Sequence, residues 1–116
     1  MKEGDVVLTP LPQADGRPKN RPVVVLRAMP PHGDLLVCGV STRLRQAVAD
    51  FDEVVRVEDP DFAASGLKAA SLIRLGFLAV LPASHFPGRI GSIGPERHRR
   101  LLQRLADHLR SAAEVG

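Results

Sequence analysis

Apolar residues in this chain come in short runs, each closed by proline, glycine or charge. Val6-Val7-Leu8 follows Gly4-Asp5, so Asp5 to Thr9 is predicted as a short strand. Pro10 and Pro12 end it, because proline cannot donate to a ladder. Leu11 to Asn20 holds Pro12, Gly16 and Pro18 and is predicted as a loop. Pro22 to Ala28 is a valine-rich run without alternation, the pattern of a strand buried on both faces. Pro30-Pro31-His32-Gly33-Asp34 then marks a turn, and Leu35 to Val40 a further apolar strand around Cys38.

Val48 to Glu58 alternates around Val54, Val55 and Val57 and is predicted as a strand stopped by Asp59-Pro60-Asp61. Phe62 to Lys68 reads as a loop or a single helical turn closed by Gly66. Ala69 to Leu75 reads as a strand, and Gly76 to Leu81 continues its apolar character. Pro82 to Gly88 is a predicted loop and Arg89 to Ile93 a short strand.

The period changes at the C-terminal end. Pro95 suits the first position of a helix, where its missing N–H costs nothing, and Glu96 suits the first-turn dipole. Leu101, Leu102, Leu105, Leu109 and Ala112 recur at helical spacing, with charge opposite. Short strands followed by one amphipathic helix predict a mainly β, α+β domain. Its architecture is a small twisted sheet or barrel of antiparallel strands capped by the helix.

Composition bounds the rest. The chain has 116 residues, enough for one domain over 1–116 with one modest core. Charged residues make up 25%, as expected of a folded soluble protein. No stretch approaches the length of a membrane span, and no N-terminal secretory pattern is present. Cys38 stands alone in an apolar run, which suits a core position and a reducing cytoplasm. The net charge of +3 favours an anionic partner such as RNA or an acidic protein. With no Trp, no Tyr and four Phe, the chain is poorly supplied with aromatic platforms for bases.

Candidate chemistry is sparse. His32, His85, His98 and His108 are scattered, and no cysteine pairs with them at zinc spacing, so neither metal nor cofactor is expected. His98 and His108 read as solvated; His85, in a loop, is the better candidate of the four. No phosphate-cradling glycine loop is present. What remains are polar groups at strand ends. Arg21 opens one strand, Ser41 and Thr42 close the next, Arg43 follows, and Arg74 lies in a later strand. If the two strands are antiparallel neighbours, Arg21 and Ser41 meet, giving guanidinium N–H donors beside an O–H for a phosphate.

Each of these residues has an ordinary explanation. Arginine before proline is commonly a surface residue, and Ser-Thr after a strand is common turn chemistry. Arg97, Arg99, Arg100 and Arg104 read as a solvated helix face before they read as a nucleic-acid patch. The order of the pieces is what favours function.

That order resembles the MazF/PemK toxin family of bacterial toxin–antitoxin systems. The matching pieces are Gly4-Asp5-Val6-Val7-Leu8, Arg21-Pro22-Val23-Val24-Val25-Leu26 and Val37-Cys38-Gly39-Val40-Ser41-Thr42. Gly66-Leu67, Ser71-Leu72-Ile73-Arg74 and Arg89-Ile90-Gly91 follow, before the terminal helix. The resemblance implies an SH3-like β-barrel assembled as a homodimer. It implies an endoribonuclease for single-stranded RNA that needs no metal. The ribose 2′-OH attacks the adjacent phosphate, leaving a 2′,3′-cyclic phosphate and a 5′-OH. Arg21 and Ser41 match the family's catalytic positions, and Thr42, Arg43 and Arg74 are assigned to substrate binding. An acidic antitoxin is the implied protein partner. Some members carry an acid two residues after the later arginine; here that position is Gly76. The alternative is a module on the same fold that binds RNA or an antitoxin peptide without cutting.

Overall fold

The computed structural model describes residues 1–12 and 16–115. Six strands form one antiparallel sheet: β1 (Asp5–Pro12), β2 (Pro18–Met29), β3 (Asp34–Ser41), β4 (Glu53–Val55), β5 (Ser71–Leu81) and β6 (Gly88–Ser92). Their order across the sheet is β4-β5-β3-β2-β1-β6, curled into a half-barrel. The short α1 (Phe62–Ser65) precedes β5, and the long α2 (Pro95–Val115) closes the chain. Mainly β with a terminal helix is therefore the fold, as the run lengths and the late helical period predict.

The central strand explains the valine run. Val24 and Leu26 join Val6, Cys38, Val55, Ile73 and Leu75 under Leu101 and Leu105 of α2. Val23 and Val25 face the other way, into a cluster with Val7, Leu35, Val37 and Phe86. β2 is thus buried on both sides, which is why it shows no alternation. Phe86 reaches the second cluster because residues 82–87 leave β5 beside Leu35 and enter β6 beside Leu8, crossing that face.

Several boundaries differ from expectation. The proline-rich stretch is not all loop: Pro10 pairs with Asn20, Leu11 with Lys19 and Pro12 with Pro18, extending the β1–β2 hairpin. Of the Val48–Glu58 segment only Glu53–Val55 is strand. Its preceding loop is fastened by Asp52, whose carboxylate accepts from the Val48 and Leu75 N–H groups at 2.9 and 3.1 Å. The Ala69–Leu75 and Gly76–Leu81 pieces are one strand with an interruption. Arg74 pairs with Gly39 and Leu78 with Cys38, so Leu75, Gly76 and Phe77 bulge out of the β3 ladder. Gly66 closes α1 at φ +73, and a Cβ there would lie 2.1 Å from the Ile90 carbonyl oxygen.

The arginine face of α2 is only partly solvated: Arg99 is exposed as expected, but Arg97, Arg100 and Arg104 are tied to the protein. Arg97 is buried and donates to Asp61, Glu53, the Val54 carbonyl and Asp59 at 2.8–3.1 Å. Arg100 and Arg104, three and seven residues on, reach the same Glu53. The spacing places all three cations on one helix face against β4. His98 is also held rather than solvated: its Nε2 lies 2.8 Å from the Leu26 carbonyl oxygen, to which it donates. Among the described residues, no helix is long and apolar enough to cross a membrane.

Candidate active site

Arg21 lies in the outer part of β2 and is exposed. Its pairing partner on β1 is Thr9. On the other side the β2–β3 register ends with Val23 paired with Gly39, and Arg21 and Ser41 each lie two residues beyond that pair. On the next strand Ser41 pairs with Leu72 and Gly39 with Arg74. Paired antiparallel residues share a face, and so do residues two apart. Thr9, Arg21, Gly39, Ser41 and Arg74 therefore stand on one face, the one turned away from α2. The strand-neighbour condition set by the sequence is met: β2 and β3 are antiparallel neighbours.

The hydroxyl of Ser41 accepts the Arg43 N–H at 3.0 Å. This is the turn chemistry expected of serine after a strand, and it leaves the hydroxyl proton free to be donated. Thr42 then turns the chain into a 3₁₀ turn, Leu44–Gln46, through its carbonyl, which accepts the Leu44 N–H at 3.0 Å. Thr42, Arg43, Leu44, Arg45 and Gln46 line an open cleft of about 470 Å³. Thr42, Arg43 and Arg45 are exposed, and Arg74 is half-buried. The end of the sheet that carries Arg21 and Ser41 is thus rich in cations and N–H donors. Such an arrangement can hold a phosphodiester and neutralise charge that develops on it.

Two features of this face were not read from the sequence. Thr9 is 1% exposed and its Oγ1 has no hydrogen-bond partner among the described residues. The only sequence signal was a hydroxyl continuing the inward phase of Val7. The second feature is Phe77, whose ring rests on Gly39. A Cβ built on Gly39 would fall 2.9 Å from Phe77 Cδ1, so only glycine admits the ring at this closeness. Phe77 remains 42% exposed. A single exposed phenylalanine ring thus lies on the face where the polar residues converge.

Other candidates lie elsewhere. His85 is exposed in the 3₁₀ turn Ala83–His85 and meets Phe86 edge-on at 5.5 Å. Cys38 is fully buried, and burial pushes its thiol pKa up to about 12, so it is core and not nucleophile. Gly76 has open space around its Cα, with no carboxylate at that position.

The family model described as PemK-like, MazF-like toxin of type II toxin–antitoxin systems matches residues 2–109. A comparison with curated proteins gives no match.

Proposed function

Because the chain belongs to the PemK-like, MazF-like toxin family, we propose that it is a metal-independent endoribonuclease acting on single-stranded RNA. The observation that carries this reading is the register that sets Arg21 and Ser41 on one face of neighbouring strands, beside Arg74 and the Thr42–Gln46 cleft. The RNA backbone lies across that sheet end. Its ribose 2′-OH attacks the adjacent phosphorus and gives up its proton to water, the bond to the 5′-oxygen breaks as that oxygen takes up a proton, and a 2′,3′-cyclic phosphate and a 5′-OH remain. Negative charge builds on the non-bridging oxygens as attack proceeds. Arg21 faces that charge with guanidinium N–H donors, and Ser41 binds a phosphate oxygen through a hydrogen bond from its hydroxyl. Thr42, Arg43 and Arg74 hold the flanking backbone. An acidic antitoxin segment would compete for the same cations, and the chain would act as a homodimer in the cytoplasm.

The experiment is cleavage of single-stranded RNA in the presence of EDTA. Activity should persist, and RNA with a 2′-deoxy residue at the cut site should resist. Arg21→Ala should lower kcat by on the order of 100-fold or more; an unchanged rate would refute the mechanism. One observation favours a second reading. Gly76 offers no carboxylate as a base near Arg74, which suits a module that binds RNA without cutting it. Salt-sensitive binding with intact RNA after long incubation selects that reading.

A further inference from the structure

Resting on that reading of the site, we propose that Phe77 is the stacking platform for a base of the bound RNA strand. Of the four phenylalanines, Phe86 is buried, Phe51 and Phe62 are half-buried, and Phe77 is the exposed one. Its place is fixed by two independent features. The bulge Leu75–Phe77 lifts it out of the β3 ladder, and the bare Cα of Gly39 lets the ring settle on the strand. The direction is fixed as well. A Cβ on Gly39 would point toward the face shared with Arg21, Ser41 and Arg74, and it is this Cβ that would strike the ring.

The neighbourhood decides what such a ring can bind. Gly39 pairs with Arg74 on one side and with Val23, two residues from Arg21, on the other. Ser41 stands two residues along the same strand, ahead of the cationic cleft of Arg43 and Arg45. An open aromatic face set among phosphate-binding cations is the arrangement by which single strands are held without sequence readout. Backbone charge meets arginine while a base lies flat on the ring. A purely apolar partner would desolvate those cations while offering them no counter-charge. The charge around the ring thus selects a nucleotide over an apolar protein surface.

The test uses the full chain, a short random-sequence 2′-O-methyl RNA that cannot be cleaved, and two variants. Phe77→Leu keeps an apolar side chain over Gly39 but removes the aromatic face. Phe77→Trp keeps the face and introduces the only indole, since the chain has no tryptophan. Phe77→Leu should weaken RNA binding by about 10-fold or more while leaving the dependence on salt unchanged, because no ionic contact is lost. Phe77→Trp should bind at least as tightly as wild type, with the indole fluorescence quenched as RNA is added. Equal affinity of Phe77→Leu and wild type overturns the proposal. So does an unquenched indole in a chain that still binds. A fall in oligomer size for Phe77→Leu in sedimentation also overturns it, because the ring then belongs to a protein interface. These outcomes are separable from failure of the functional reading, in which wild type itself binds no RNA at low salt.

Discussion

Arg97 of α2 donates to Glu53 of β4 at 2.9 Å, and both side chains are buried. The pair is the centre of a cluster in which Glu53 also holds Arg100 and Arg104, while Arg97 also holds Asp59 and Asp61. Three cations and three anions so arranged leave few charges uncompensated. They tie the helix to the edge of the sheet at the start of α2, where Leu101 and Leu105 have yet to reach the core.

Removal of Arg97 should therefore be costly. Arg97→Ala leaves the buried Glu53 and the half-buried Asp61 without a main donor, a change that typically costs about 3 kcal/mol. Urea denaturation of the variant and wild type measures it. A loss below about 1 kcal/mol would place the cluster among ordinary surface ion pairs.

Acid should act on the same cluster. The hydrogen bond from Arg97 holds the Asp61 carboxyl below its ordinary 3.8, with burial opposing and the Gly94 N–H assisting. Because the folded pKa is depressed, the unfolded chain binds more protons in the acid range. The stabilisation is complete above the unfolded pKa and is lost as pH falls through the folded one. Unfolding free energy should thus be level near neutrality and drop below about pH 5. Asp61→Asn should start lower at neutral pH and fall less steeply, as read by urea titrations at a series of pH values.

Cys38 should be silent in the native chain. Burial first of all raises its thiol pKa to about 12, so almost no thiolate forms near neutrality. Iodoacetamide at about pH 8 should label it only after denaturant is added. Rapid labelling of the folded protein would show that β3 opens locally.

The hairpins and the terminal helix could be read from the sequence because valine runs, prolines and a period change are local signals. The shared face of Arg21 and Ser41 on neighbouring strands was legible too, since adjacent strands joined by one turn pair in a forced direction. Arg97 was not. A charge on a helix looks solvated until the partner strand is known, and Glu53, Asp59 and Asp61 lie 36 to 44 residues before it. His98 was misread for the same reason, its carbonyl partner being Leu26 on β2. Phe77 was hidden by its own strand, because an apolar residue in an apolar run reads as core. Only the bulge and the missing side chain at Gly39 turn it outward.

The bulge has a second effect, on phase. Three residues is an odd number, so it inverts the inside and outside of everything that follows on β5. Before it, the even-numbered Arg74 shares the face of Gly39; after it, the odd-numbered Ala79 and Leu81 turn to that side and support the Phe86 cluster. One strand is thereby polar and apolar on the same face along its length. Were β5 to alternate regularly from Arg74 with no bulge, Leu78 and Val80 would turn toward Phe86 and Ala79 and Leu81 to the opposite side. The arginine-bearing end and the packed end of this face are joined by a change of parity that no substitution could supply.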